Sequence, residues 1–234
     1  MYSARVSGVG EFVAVSAFRS DDPGRVLDGV RGFLAAHDWA VLDVPDGEPV
    51  AGPDDVLAYP PQDGWTVVLW PQYWAAAPAS AFICQQLGGV GSAVSIHDGD
   101  FWTHTLLRDG DTLDRFASMP DYFTDDPDEI ARLAAKFAGN PAVVATAFGC
   151  PVAQVAPYLV HAMVTENLEH LLLDGPDLAP AFSDDEFDRE SPWVFVDFWR
   201  RSGITYPADV SAYAARLRLA PDWLTQLPTG DSEL

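Results

Sequence analysis

Apolar residues recur along this chain in two rhythms, one of period two and one of period near 3.6, and they change over about halfway. Residues 11–18, "EFVAVSAF", alternate and are rich in β-formers, which predicts a strand. Asp22 followed by Pro23 supplies an N-cap and a first helical position. Val26, Val30, Phe33, Leu34 and His37 then follow at helical spacing, predicting a helix to about position 37. Strands are expected over 39–44 and 65–70, separated by a Pro-, Gly- and Asp-rich loop over 45–64. A short helix from Pro78 through "SAFICQQL" is stopped by Gly88 and Gly89.

Two Asp-Gly dipeptides, Asp98-Gly99 and Asp109-Gly110, sit between alternating runs and predict tight hairpins. Three antiparallel strands over 90–97, 100–107 and 111–117 follow from them. The order β-α-β-β-α-β with two further strands predicts an α+β fold: a ferredoxin-like antiparallel sheet with an added β-meander and one helix-covered face. From residue 124 the rhythm is helical. Asp126, Pro127 and Glu129 open one capped helix, and Asn140 and Pro141 open another that ends at Gly149. An apolar segment over 152–173, an acidic loop over 174–190, a capped helix over 191–203 and a last helix over 207–219 complete an all-helical C-terminal half. The expected division is a sheet domain over 1–122 and a helical domain over 123–234 packed on it. No fixed-period repeat is present.

Two-residue turns would fix the hairpin register. His97 then lies opposite Asp100, and His104 lies opposite Ala93 and, on its other side, Arg115. The two histidines would share a face about 13 Å apart, at roughly 3.3 Å per residue. Zinc–nitrogen bonds are about 2.0 Å, so one ion could not take both, and no metal site is expected. Val94, Ile96, Phe101, Thr103 and Phe116 fall on the core face. His97, Asp100, Trp102, His104 and Arg115 fall on the other, a mixed aromatic and polar surface. It would pack on the helical half, bind a ligand or partner, or carry chemistry; a binding face is the functional expectation.

Composition narrows the choice. The 234 residues carry a net charge of −22, and 48% are hydrophobic. Such a surface repels phosphate backbones and attracts basic proteins or cationic ligands. It is also what a source organism that uses acidity for solubility would produce, since Lys136 is the only lysine. The N-terminal stretch lacks a basic start followed by an apolar run, so no secretory signal is expected, and the apolar runs are too short to span a bilayer. The chain reads as soluble and cytoplasmic. Cys84 and Cys150 belong to no zinc or redox motif and read as buried thiols.

The remaining motifs each fall short. Residues 142–159 match a helix-turn-helix outline, yet the second helix lacks arginine and lysine and contains Pro157. Glu166 and His170 share a helix face but lack partners for a metal site. "SDDEFDRES" alternates acids as a calcium loop does, without the central glycine or distal glutamate. No phosphate loop, dinucleotide fingerprint, nucleophile elbow or zincin motif appears, and no cofactor is expected. The leading expectation is a non-enzymatic, immunity- or antitoxin-like acidic protein that binds a basic partner protein. Asp184, Asp185, Glu186 and Asp188 form the docking loop, polar enough to contribute little to the core. The alternative is a small-molecule enzyme or ligand-binding protein whose pocket lies between sheet and helical half, lined by Trp102, His104 and Arg115.

Overall fold

A computed structural model describes residues 11–42, 44, 51–72, 74, 76–162, 179–221 and 223. In chain order the elements are β1 (Val13–Arg19), α1 (Pro23–Ala36), β2 (Val41–Leu42), β3 (Asp55–Ala58), β4 (Trp65–Leu69), α2 (Ala76–Leu87), β5 (Val90–His97), β6 (Phe101–Arg108) and β7 (Asp111–Ala117). Then follow α3 (Pro127–Lys136), α4 (Pro141–Phe148), α5 (Val152–Val155), α6 (Phe195–Arg201) and β8 (Ala215–Leu219). The fold is α+β. One eight-stranded sheet runs in the order β2-β8-β3-β4-β1-β5-β6-β7, with every pairing antiparallel.

Helix starts follow local chemistry. Asp22, Asp126 and Asn140 each accept from backbone N–H groups of the turn they open, and proline occupies the first helical turn each time. Gly149 closes α4 in the left-handed conformation, φ 75°. Among the described residues no helix is long and apolar enough to cross a membrane.

Both faces of the sheet are covered, where one was expected. In β1, Ala14, Val15, Ser16, Ala17 and Phe18 are all buried. Ala14 and Phe18 join Val68, Ala93 and Leu217 beneath α1 and α2. Val15 and Ala17 join Val94, Trp102 and Phe116 beneath α4, α5 and α6. α3 packs at the β7 edge through Ala117, Leu133 and Phe137.

The C-terminal half is not all helical. The helix expected over 207–219 is absent, and Ala215–Leu219 forms β8, hydrogen-bonded between β2 and β3. Its alternation decides the matter. Leu217 and Leu219 face the core under α1, while Arg216 and Arg218 lie near Asp55 on the neighbouring strand. Arg218 meets that carboxylate with two bonds, Nε to Oδ1 at 2.7 Å and Nη2 to Oδ2 at 2.9 Å. Burial alone would raise the Asp55 carboxyl, but the Arg218 and Gly52 hydrogen bonds and the Arg216 charge hold it below its usual value. The same contact explains β3, a strand inside what reads as a loop. In the strand expected over 39–44, Val41–Leu42 is the part that forms a strand among the described residues. The apolar segment after 151 is helical over Val152–Val155 and continues as a 3₁₀ turn, Ala156–Tyr158. Positions 163–173 lie outside the described residues.

The meander is present, but its register differs from expectation. The Asp98-Gly99 turn closes with the Asp100 N–H on the His97 carbonyl at 3.0 Å, and Gly99 N–H donates to the Glu11 carbonyl at 2.8 Å. Asp100 then stays outside the ladder, so His97 pairs with Phe101 and Val94 with His104. The Asp109-Gly110 turn is a two-residue loop as expected, with both residues at positive φ and Arg108 opposite Asp111. A bulge between Leu106 and Leu107 shifts the rest, placing His104 opposite Phe116 and Thr105 opposite Arg115. Because side chains alternate with period two, this one-residue offset exchanges the two faces of β6.

α2 lies close on β5 because position 91 has no side chain. A Cβ on Gly91 would sit 2.3 Å from the Cys84 sulfur. Gly91→Ala should therefore destabilise the fold by about 2 kcal/mol in urea titration, as overpacking does. Cys84→Ala in the same chain should restore part of the loss.

Candidate functional site

Trp102 and His104 do not line a surface. The exchanged faces turn them into the core beneath α4 and α6, where Trp102 is 1% exposed and His104 0%. His104 Nε2 lies 3.0 Å from Ser92 Oγ, and Trp199 Nε1 donates to the same oxygen at 2.9 Å. The hydrogen bonds favour one tautomer. If Ser92 donates to Nε2, its oxygen accepts from Trp199 and only the His104 Nδ1–H lacks a partner. If Nε2–H donates instead, both the serine hydroxyl hydrogen and Nδ1 are left without one. Burial pushes the His104 pKa down to about 3, so the ring is neutral. A serine beside a neutral imidazole resembles a nucleophile and its base. Here both side chains are sealed, and no carboxylate orients Nδ1.

The five residues expected on one binding face are divided. Trp102 and His104 are interior, and Arg115 is exposed opposite Thr105 on β6. His97 and Asp100 stay together at the hairpin tip, in company the sequence did not announce. The His97 ring has Phe12 at 4.9 Å, Phe123 at 5.1 Å, Phe101 at 5.3 Å and Tyr122 at 5.6 Å, centroid to centroid. Tyr122 donates to Asp100 Oδ2 at 2.8 Å, and that bond pushes the phenol up to about 12. The only sequence signal for this group was the aromatic pair following Pro120. His97 and His104 now point to opposite faces, so the joint metal site fails on geometry for a different reason from the one expected. Among the described residues, no three His, Cys, Asp or Glu side chains gather as a metal-binding group.

The loop expected to dock a partner is partly structural. The Asp185 side chain is fully buried and accepts from Tyr158 Oη at 2.7 Å, Arg201 Nη2 at 2.8 Å, Arg200 Nη2 at 2.9 Å and the Phe182 N–H at 3.0 Å. Asp184 pairs with Arg200 and Arg201, whose hydrogen bonds bring it down to about 2. Buried Asp197 on α6 accepts the Glu186 and Phe187 N–H groups, each at 2.9 Å. The two arginines at the end of α6 thus clamp the loop: of its four acids Asp185 is enclosed, Asp184 is exposed but held by both arginines, and Glu186 and Asp188 are exposed. The loop contributes to the core after all.

The other candidates offer little chemistry. Burial, with Asp109 nearby, pushes Cys84 up to about 12, and burial also raises Cys150, so neither is an activated thiol. Glu166 and His170 lie outside the described residues. One concavity among the described residues is an open groove of about 340 Å³, lined by Leu113, Val143, Ala147, Arg108, Asn140 and Thr146 among others. Another, beside Tyr59 and Tyr206, has no room for water. What fold and geometry define is an acidic α+β protein with a filled two-sided core. Compared with protein-family models, curated proteins and solved structures, the chain matches none.

Two outcomes follow. Above an unfolded-state pKa near 6.5, His104 is neutral in both states and costs nothing; as pH falls toward 3, only the unfolded chain takes up the proton. Wild type should therefore lose about 2 kcal/mol more stability than His104→Leu between pH 7 and pH 5, measured by urea unfolding. Asp185→Ala should cost about 3 kcal/mol, because it strands Arg201 without its buried partner. Asp188→Asn should stay within about 0.5 kcal/mol.

Proposed function

We propose that the chain is a non-enzymatic acidic protein of the cytoplasm that engages a basic partner protein, as an immunity or antitoxin-like inhibitor does. The observation that carries the proposal is the net charge of −22. It combines with internal ion pairing that consumes arginine: Arg31, Arg132, Arg200, Arg201, Arg216 and Arg218 are all engaged by carboxylates of the same chain. Much of the small positive complement is thereby neutralised locally, and the outward field is negative. That field favours a cationic partner and disfavours nucleic acid. The scaffold is best taken as a ferredoxin-like unit, since β3-β4-β1-β5 lie in that order with α1 and α2 on one face. The helical segments after 122 pack on it and return β8 to its sheet. The alternative of an enzyme or ligand-binding protein gains no support from the sheet–helix interface, because Trp102 and His104 fill the space it would need.

The test is association kinetics against the product of the adjacent gene on an immobilised surface. Between low salt and 0.15 M, where the Debye length is about 8 Å, the on-rate should fall steeply while the off-rate barely changes. Glu186→Gln with Asp188→Asn should lower the on-rate at low salt without altering stability. No binding at low salt, or a rate indifferent to salt, would reduce the acidity to a solubility trait.

A further inference from the structure

Three segments converge at the tip of the β5–β6 hairpin: the entry to β1 with Phe12, the turn bearing His97 and Phe101, and the loop with Tyr122 and Phe123. Phe123 is 59% exposed, the largest exposure of any large hydrophobic side chain among the described residues, and the only aromatic one in that group. Its ring stands edge-on to Tyr122 at 4.9 Å and to His97 at 5.1 Å. Burying such a ring is favourable, and here it faces water. Local charge is one-sided. Positions 11–18, 93–107 and 116–131 contain no lysine or arginine, while Glu11, Asp98, Asp100, Asp125 and Asp128 are exposed.

We infer that this aromatic patch with its carboxylate rim is the docking point for an arginine side chain of a basic partner protein. The inference rests on the basic-partner proposal and gives it a place. An apolar cover would strip water from Asp98 and Asp100 without pairing them, at a cost that exceeds what Phe123 would gain. A lipid headgroup phosphate or nucleic acid would meet only negative charge. A guanidinium suits both halves of the site. Its plane stacks on ring faces, and its fork of donors reaches carboxylates at the edge. The Tyr122–Asp100 bond ties one ring to the acidic rim, so the two halves are held in fixed relation. Lysine, a compact and strongly hydrated charge, would use the carboxylates but stack poorly.

The probe is the peptide acetyl-Gly-Arg-Gly-Arg-Gly-amide, titrated into the isotope-labelled full chain at low salt, with lysine and glutamate counterparts. The arginine peptide should shift the ring resonances of His97, Tyr122 and Phe123 first and bind more tightly than the lysine peptide, and the glutamate peptide should leave them unmoved. Phe123→Ala, at an exposed position whose loss leaves the fold intact by circular dichroism, should weaken binding about fivefold. Phe123→Tyr should retain it. Asp98→Asn with Asp100→Asn should weaken it by a similar factor. Arginine-peptide shifts confined to Glu186 and Asp188, equal affinity for the lysine peptide, or unchanged binding by Phe123→Ala would overturn the arginine dock while leaving a basic partner in place. Absence of any shift at low salt with either cationic peptide would overturn both.

Discussion

β1 has to bury both of its faces, and the rest of the architecture answers that demand. An antiparallel sheet commonly keeps one side wet. Here five consecutive residues, Ala14 to Phe18, have almost no exposure, so two layers of helix must close on one strand. α1 and α2 supply one layer, and α4, α5 and α6 the other. Ser16 and Ser92 are among the polar residues this encloses completely. Each is satisfied by a partner from the layer above it. Ser16 pairs with Ser80 of α2 at 2.7 Å and accepts from Trp70, while Ser92 pairs with His104 and accepts from Trp199 of α6. A buried hydroxyl without such partners costs roughly 1–3 kcal/mol, so these pairs fix where each layer sits as well as holding it there.

Local signals were legible and long-range ones were not. The three Asp-Pro or Asn-Pro helix starts were visible because a cap and its helix are neighbours in sequence. Both Asp-Gly turns were visible for the same reason. The strand β8 was hidden: "AARLRL" has good helix formers, and nothing nearby says that Asp55, about 160 positions earlier, will draw two of its arginines onto a strand. β3 was hidden too, since a two-sided buried strand does not alternate.

The candidate site turned on one residue. Asp100 sits outside the ladder, and Leu113 falls within the bulge on the next strand. Neither displacement is encoded in the turns alone. Asp100 is held by Tyr122 and Gly99 by Glu11, both from segments remote in sequence. A one-residue offset moved Trp102 and His104 from a supposed surface into the core and put His97 with Phe101 at the tip. His97 and Asp100 stay neighbours because they flank the turn, whatever the register of the strands.

The acids divide by the same logic of burial. Asp55, Asp185 and Asp197 are enclosed and bonded by arginines or backbone N–H groups, so they carry structure and cannot be offered to another molecule without loosening the fold. Asp98, Asp100, Glu186 and Asp188 have exposed side chains and contribute to the outward field. A highly charged sequence thus contains two populations of one residue type, and only coordinates separate them. The arginines do the sorting. With a single lysine in the chain, positive charge is carried almost wholly by guanidinium groups. These are the cations suited to buried, bidentate pairing. Each such pair is neutral, so the net charge of −22 is left to the groups outside the pairs, where few cations remain to offset it. The core and the outward field are therefore two consequences of where the arginines go.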